Sequence, residues 1–205
     1  MRIEIIGLPG VGKTHIYNLV CKRHSDSFKY FSNNVKSVRL DSLYDYLFYF
    51  KHPILVFLSN FEKKRDDLFI SFKRIARRRK YILRKNDCVF TDFGIVQPLL
   101  EAHILSDTFN ERINWVKLFD EIRMDHCYFI INDTINNIVK REFTRTHRRF
   151  DYNKEHLTRK YCKCDELIEI LKKRMFYYEF KISDYKEASD LADDLYSKMI
   201  EILDL

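Results

Sequence analysis

Gly7, Gly10, Gly12, Lys13 and Thr14 stand close together in Gly7-Leu8-Pro9-Gly10-Val11-Gly12-Lys13-Thr14, which satisfies G-x-x-x-x-G-K-[ST] throughout. Residues of these types at this spacing can hold the phosphates of a nucleoside triphosphate. Glycines allow backbone dihedrals that side chains forbid, so successive N–H groups can turn inward around an anion. A helix starting directly behind the loop adds its positive end. In such a cradle Lys13 reaches the β- and γ-phosphates, and the Thr14 hydroxyl completes the shell of a Mg²⁺ ion. The expected nucleotide-binding set is Gly7, Gly10, Val11, Gly12, Lys13, Thr14 and His15, with ATP and Mg²⁺ as ligands.

A short motif needs the right context, and the flanking sequence supplies it. The isoleucine-rich run Arg2–Ile6 predicts a strand entering the loop, and Lys13 to about Lys22 predicts a helix leaving it. Farther on, apolar runs alternate with helical patterns, the signature of an α/β domain around a mostly parallel sheet. Strands are predicted within Val35–Leu40, over Cys88–Thr91, over Cys127–Ile131 and over Phe176–Ile182. Helices are predicted over much of 41–85, near Ile95–Leu105 and Asn110–Arg123, from about Thr134, over Lys154–Arg174 and over Tyr185–Leu203. In the Asn110–Arg123 helix Ile113, Val116, Leu118, Phe119 and Ile122 approximate a helical stripe, and Trp115 reads as packing rather than chemistry. The expected fold class is a three-layer P-loop domain, one unit over 1–205 with a central parallel sheet flanked by helices.

A second group with chemical potential is Asp92, at the end of Val89-Phe90-Thr91-Asp92-Phe93-Gly94. A carboxylate at a strand end beside a triphosphate can hold a Mg²⁺-bound water or accept a proton from an attacking hydroxyl. It can equally cap the helix that follows. A third group is the basic run Lys140-Arg141-Glu142-Phe143-Thr144-Arg145-Thr146-His147-Arg148-Arg149. Planar guanidinium groups stabilise charge spreading onto a transferring phosphoryl group. Arg141 and Arg145 are four apart and would share a helical face. Gln97 and Glu101 follow Asp92 by one and two helical turns, facing either an acceptor or the surface.

The balance of 37 Lys and Arg against 30 Asp and Glu, net +7, suits an anionic ligand without selecting one. With 46% hydrophobic residues, the 205-residue chain can bury a core without disulfides or structural metals. Five cysteines with no CxxC pair fit a reducing compartment, and a cytoplasmic protein without a signal peptide is expected. The apolar stretch 43–61 contains Asp45, Lys51, His52 and Pro53, which argues against a membrane span. Cys162-x-Cys164 with His156 lacks the spacing of a metal site. Arg77-Arg78-Arg79-Lys80 reads as an exposed face, because no nucleic-acid-binding motif accompanies it.

This layout resembles the small-molecule P-loop kinases, especially the thymidylate kinase and deoxynucleoside kinase group. A GTPase would carry Asn-Lys-x-Asp where this chain has Ile131-Asn132-Asp133-Thr134, and an AAA-type ATPase would close its second motif strand on Asp-Glu. The resemblance implies that Asp92 matches the family's carboxylate beside the γ-phosphate. Phe93 stands where the family has arginine, which argues against a phosphorylated acceptor. It further implies that 140–152 forms a lid, mobile until a nucleotide supplies counter-charge, with Arg141, Arg145 and Arg148 acting in catalysis. The 41–85 region would build the acceptor pocket, and the turn after the last strand would line adenine.

The implied activity is transfer of the γ-phosphate of ATP to a small molecule such as a nucleoside, nucleotide or sugar. The alternative is a P-loop ATPase or nucleotide-switched module acting on a protein or nucleic acid. Expected partners are ATP and a small acceptor; neither membrane nor nucleic acid is expected, and a homodimer is compatible with the sequence.

Overall fold

The computed structural model describes residues 2–24, 89–92, 96–105, 127–146 and 152–203, together with positions 94, 107, 114–116 and 120. The strand predicted within Val35–Leu40, the helical 41–85 region, the Arg77–Lys80 run, Phe93, Arg148 and most of 110–123 lie outside the described residues. Within them the chain runs β1 (Arg2–Ile6), α1 (Lys13–Arg23), β2 (Val89–Thr91), α2 (Val96–Leu105), β3 (Cys127–Asn132), α3 (Ile135–Thr144), α4 (Lys154–Lys172), β4 (Phe176–Lys181) and α5 (Ala188–Leu203).

The four strands form one parallel sheet in the order β2-β1-β3-β4. β1 and β3 are central, and their sequences show why. Ile3, Ile5 and Ile6 are buried, as are all of Cys127–Ile131, because a strand covered on both faces needs a continuous apolar run rather than alternation. β4, at the edge, leaves Phe176 and Tyr177 exposed and buries Phe180. On one side α1 packs on α5; elsewhere α4 packs on α2 and α3. α4 buries Leu157, Tyr161, Cys164, Leu167, Ile168 and Leu171, a stripe at three- and four-residue steps. Trp115 is buried against His103, as packing requires.

Local chemistry sets the helix starts. Thr134 caps α3, its hydroxyl accepting the Asn137 N–H at 3.3 Å, and Asn153 caps α4 by accepting the His156 N–H at 2.8 Å. At the far end, β4 stops at Lys181 and a 3₁₀ turn spans Ile182–Asp184, so α5 starts three residues later than its predicted start at Tyr185. Cys21, Cys127, Cys162 and Cys164 form no disulfides. Burial pushes the Cys127 thiol up to about 12, as befits a small core hydrophobe. Among the described residues no helix is long and apolar enough to cross a membrane.

The strand order locates the cleft. From β1 the chain goes to β2 on one side; from β3 it goes to β4 on the other. Connections therefore diverge at the C-terminal ends of β1 and β3, and a crevice opens where neighbouring loops part. Gly7 follows β1 there, and Asp133 follows β3.

Candidate active site

The phosphate loop is built on β1 and pressed against β3. Gly7, Gly10 and Gly12 have φ of 152°, 95° and 110°. At Gly7 the backbone passes so close to β3 that a Cβ would sit 2.3 Å from the Ile131 carbonyl oxygen. Gly12 has open space around it, and there the left-handed backbone alone selects glycine. Gly7→Ala is expected to lower unfolding free energy by about 1–3 kcal/mol through this clash. Urea unfolding checks it, and a variant as stable as the parent would contradict the tight β1–β3 junction.

α1 starts on Gly12 with no side-chain cap and no acidic residue in its first turn. The helix's own first turn thus leaves its positive end without a carboxylate, which suits an anion. Lys13 is buried, and its Nζ donates to the carbonyl oxygens of Gly7 and Leu8, both at 3.0 Å. The ammonium is folded along the loop it serves. Thr14 and His15 are exposed on the first turn of α1.

Asp92 directly follows β2, whose Thr91 pairs with Glu4 on β1, so it stands at the same end of the sheet as the loop. It is half-buried. Burial, and more weakly the Asp92 charge, pushes the Cys21 thiol on α1 upward, placing that charge within electrostatic reach of α1. At the start of α2 the Glu4 carboxylate reaches over from β1 and accepts the N–H groups of Val96 at 3.0 Å and Gln97 at 3.0 Å. Gln97 is fully buried rather than facing the surface, and its Oε1 accepts the Gly7 N–H at 3.3 Å. Sequence reading missed Glu4; a charged residue inside an isoleucine-rich strand was the available signal.

The basic segment differs from expectation in two respects. α3 ends at Thr144, and Arg145 has an extended backbone at φ −73° and ψ 143°, so Arg141 and Arg145 do not share one helical face. Neither arginine lacks a counter-ion. Arg141 pairs with Asp133, which also accepts the Thr134 N–H at 2.6 Å and Asn137 Nδ2 at 3.0 Å. Arg145 pairs at 3.0 Å with Glu142, which is wholly buried and packs beside Gly10 of the loop. Both guanidinium groups thus carry a counter-charge in the protein without nucleotide.

These elements surround a cavity of about 450 Å³, within the range of small-ligand pockets. Gly10, Val11, Gly12 and His15 form its loop side, Arg141, Thr144 and Arg145 its α3 side, and its far wall sets the charged Lys186 and Glu187 among Ile182, Tyr185, Ala188 and Leu191. Tyr185 donates from its hydroxyl to Asp194 at 2.5 Å, and burial with that acceptor holds the phenol protonated well above its usual range. The cavity therefore joins the glycine-rich loop, two guanidinium groups and a wall of apolar residues interrupted by Lys186 and Glu187. No cluster of three or more His, Cys, Asp or Glu side chains able to hold a metal occurs among the described residues. A Mg²⁺ ion would fit as a companion of the triphosphate, with Thr14 and Asp92 the residues at hand.

No protein-family model matches the sequence, and no curated protein does. Solved structures do match. A deoxyadenosine kinase from M. mycoides with products dCMP and a flexible dCDP bound superposes with a TM-score of 0.63 at 13% identity, covering 98% of this chain and 100% of that one. The same enzyme with bound dATP gives 0.61 at 10% identity, covering 97% and 99%. A shikimate kinase from Bacteroides thetaiotaomicron gives 0.51 at 12% identity, covering 100% and 99%. At such identities the likeness speaks for architecture, and the chain has the fold of the P-loop small-molecule kinases.

Proposed function

We propose that this protein is an ATP-dependent kinase that moves the γ-phosphate of ATP, with Mg²⁺, to the hydroxyl of a small molecule. The observation that carries the reading is the uncapped N-terminus of α1 behind the Gly7–Thr14 loop, opening on a cavity that Arg141 and Arg145 also line and whose far wall is part apolar and part charged. The solved kinases of the same fold support it; one is described with bound dATP, and the other enzyme is a shikimate kinase. ATP would supply the phosphoryl group. Lys13 and the first N–H groups of α1 would hold its phosphates, and Thr14 the Mg²⁺. Asp92, at the neighbouring strand end, would hold a Mg²⁺-bound water or take the proton of the acceptor hydroxyl. Arg141 and Arg145 reach the same cavity from α3 and would stabilise charge on the transferring group.

The acceptor would be a nucleoside, nucleotide, sugar or comparable small molecule, with Phe93, where the resembling kinases place an arginine, weighing against one that is already phosphorylated. Free thiols on buried cysteines are in keeping with a cytoplasmic location.

The lid gives a test that separates this reading from a P-loop ATPase or switch. Because Arg145 is held by Glu142, phosphates must compete with a buried carboxylate for the guanidinium. Arg145→Ala is therefore expected to lower turnover more than it weakens binding of an ATP analogue, by about tenfold or more in kcat. Hydrogen exchange over 7–14 and 140–152 should slow when the analogue and Mg²⁺ are added. Unchanged exchange in 140–152 together with unimpaired turnover in Arg145→Ala would leave the segment a solvated basic face and favour the ATPase or switch.

A further inference from the structure

Glu4 is a fully buried carboxylate in the middle of the sheet. Burying a carboxylate is costly unless hydrogen bonds replace its lost hydration. Here α2 supplies them: Val96 N–H lies 3.0 and 3.3 Å from the two carboxylate oxygens, and Gln97 N–H lies 3.0 Å from Oε1. The contact spans more than ninety residues of sequence and fixes the first turn of α2 to β1. The glycine after Phe93 completes the arrangement. A Cβ on Gly94 would lie 2.3 Å from Glu4 Cδ and 2.4 Å from Oε2, so the carboxylate occupies the space that any side chain at 94 would need.

The chain of contacts continues to the phosphate loop. Gln97, held through its own N–H by Glu4, accepts the Gly7 N–H on Oε1, while its buried Nε2 has no hydrogen-bond partner among the described residues. An unmet buried donor costs about 1–3 kcal/mol, a cost more readily tolerated where geometry serves function. Asp92 is therefore bracketed: Thr91 before it is in register with Glu4, and Gly94 and Val96 after it rest on the Glu4 carboxylate.

We infer that Glu4 is a positioning residue, whose carboxylate clamps the β2–α2 connection to β1 and, through Gln97, to the phosphate loop. It thereby holds Asp92 at a fixed distance from the triphosphate. Misplacing a reacting group by about 1 Å can cost about a hundredfold in rate, so such a clamp has kinetic consequences without touching substrate. The effect on turnover rests on the proposed kinase reading; the clamp itself does not.

Glu4→Ala, Gly94→Ala and the double variant test the inference, with Glu4→Gln as the conservative change. Gly94→Ala should unfold at a markedly lower temperature than the parent. Adding Glu4→Ala should recover part of that loss, because the new methyl fits the vacated space. In Glu4→Ala the Gly7 and Val96 amides should exchange faster. Its kcat should fall about tenfold or more, while its affinity for an ATP analogue stays within about threefold of the parent. Glu4→Gln, which keeps one acceptor oxygen, should lie between.

Additive effects of the two alanine changes on melting temperature would overturn the clamp. Unchanged Gly7 exchange would overturn its link to the loop. If Glu4→Ala has parental kcat, the carboxylate is a helix cap without a positioning role. If the parent transfers phosphate to no small acceptor, the kinase reading fails, and the melting and exchange comparisons still decide the clamp.

Discussion

Lys13→Ala is expected to weaken binding of an ATP analogue by about 10- to 100-fold while the fold survives. The estimate follows from losing charge-assisted hydrogen bonds worth about 1.5–3 kcal/mol to the phosphates. In the free protein the ammonium lies along the loop, 3.0 Å from the carbonyl oxygens of Gly7 and Leu8. Removing it spares the core a buried positive charge, so thermal stability should change little. The glycine dihedrals and the α1 N-terminus persist in the variant, and residual binding through backbone N–H groups is expected. Calorimetric titration reads the affinity. Parental affinity in a folded variant would remove the phosphate-binding assignment of the loop.

Asp92→Asn carries the second large effect. Asparagine keeps the shape and caps helices as well as aspartate, so a capping role would leave the variant unaffected. Glu4 already accepts the first N–H groups of α2, those of Val96 and Gln97. Loss of the charge should lower turnover by about 10²- to 10⁴-fold, the usual worth of a positioned acid or base. Affinity for the ATP analogue should fall much less, by about tenfold at most if a Mg²⁺ contact is lost. Measuring kcat beside analogue affinity separates the two. Equal turnover in Asp92→Asn would end its catalytic assignment.

Much of the site was legible because its parts are local. The isoleucine run before Gly7, the glycine spacing and the helix beginning at Lys13 all lie within a dozen residues, and the structure places them as read. β3 and the helix starting near Thr134 were legible for the same reason: an all-apolar run and a local helical pattern need no partner far along the chain. The Glu4 contact was not, because a carboxylate in one strand and a glycine some ninety positions later carry no shared periodicity.

In the basic segment the ion pairs went unread. Reading 140–149 as a basic cluster discounted Glu142, although its placement three residues before Arg145 is itself a pairing distance. Asp133 likewise sat outside the run yet neutralises Arg141. Charge counted by segment hid ion pairs that the helix brings together.

Transfer of label from [γ-³²P]ATP in the presence of Mg²⁺ to a panel of nucleosides and sugars tests the kinase reading most directly. The expected result is a phosphorylated small molecule, formed by the parent and greatly reduced in Lys13→Ala and Asp92→Asn, with slow ATP hydrolysis when no acceptor is present. Release of inorganic phosphate stimulated by a protein or nucleic acid, with no labelled small product, would contradict it.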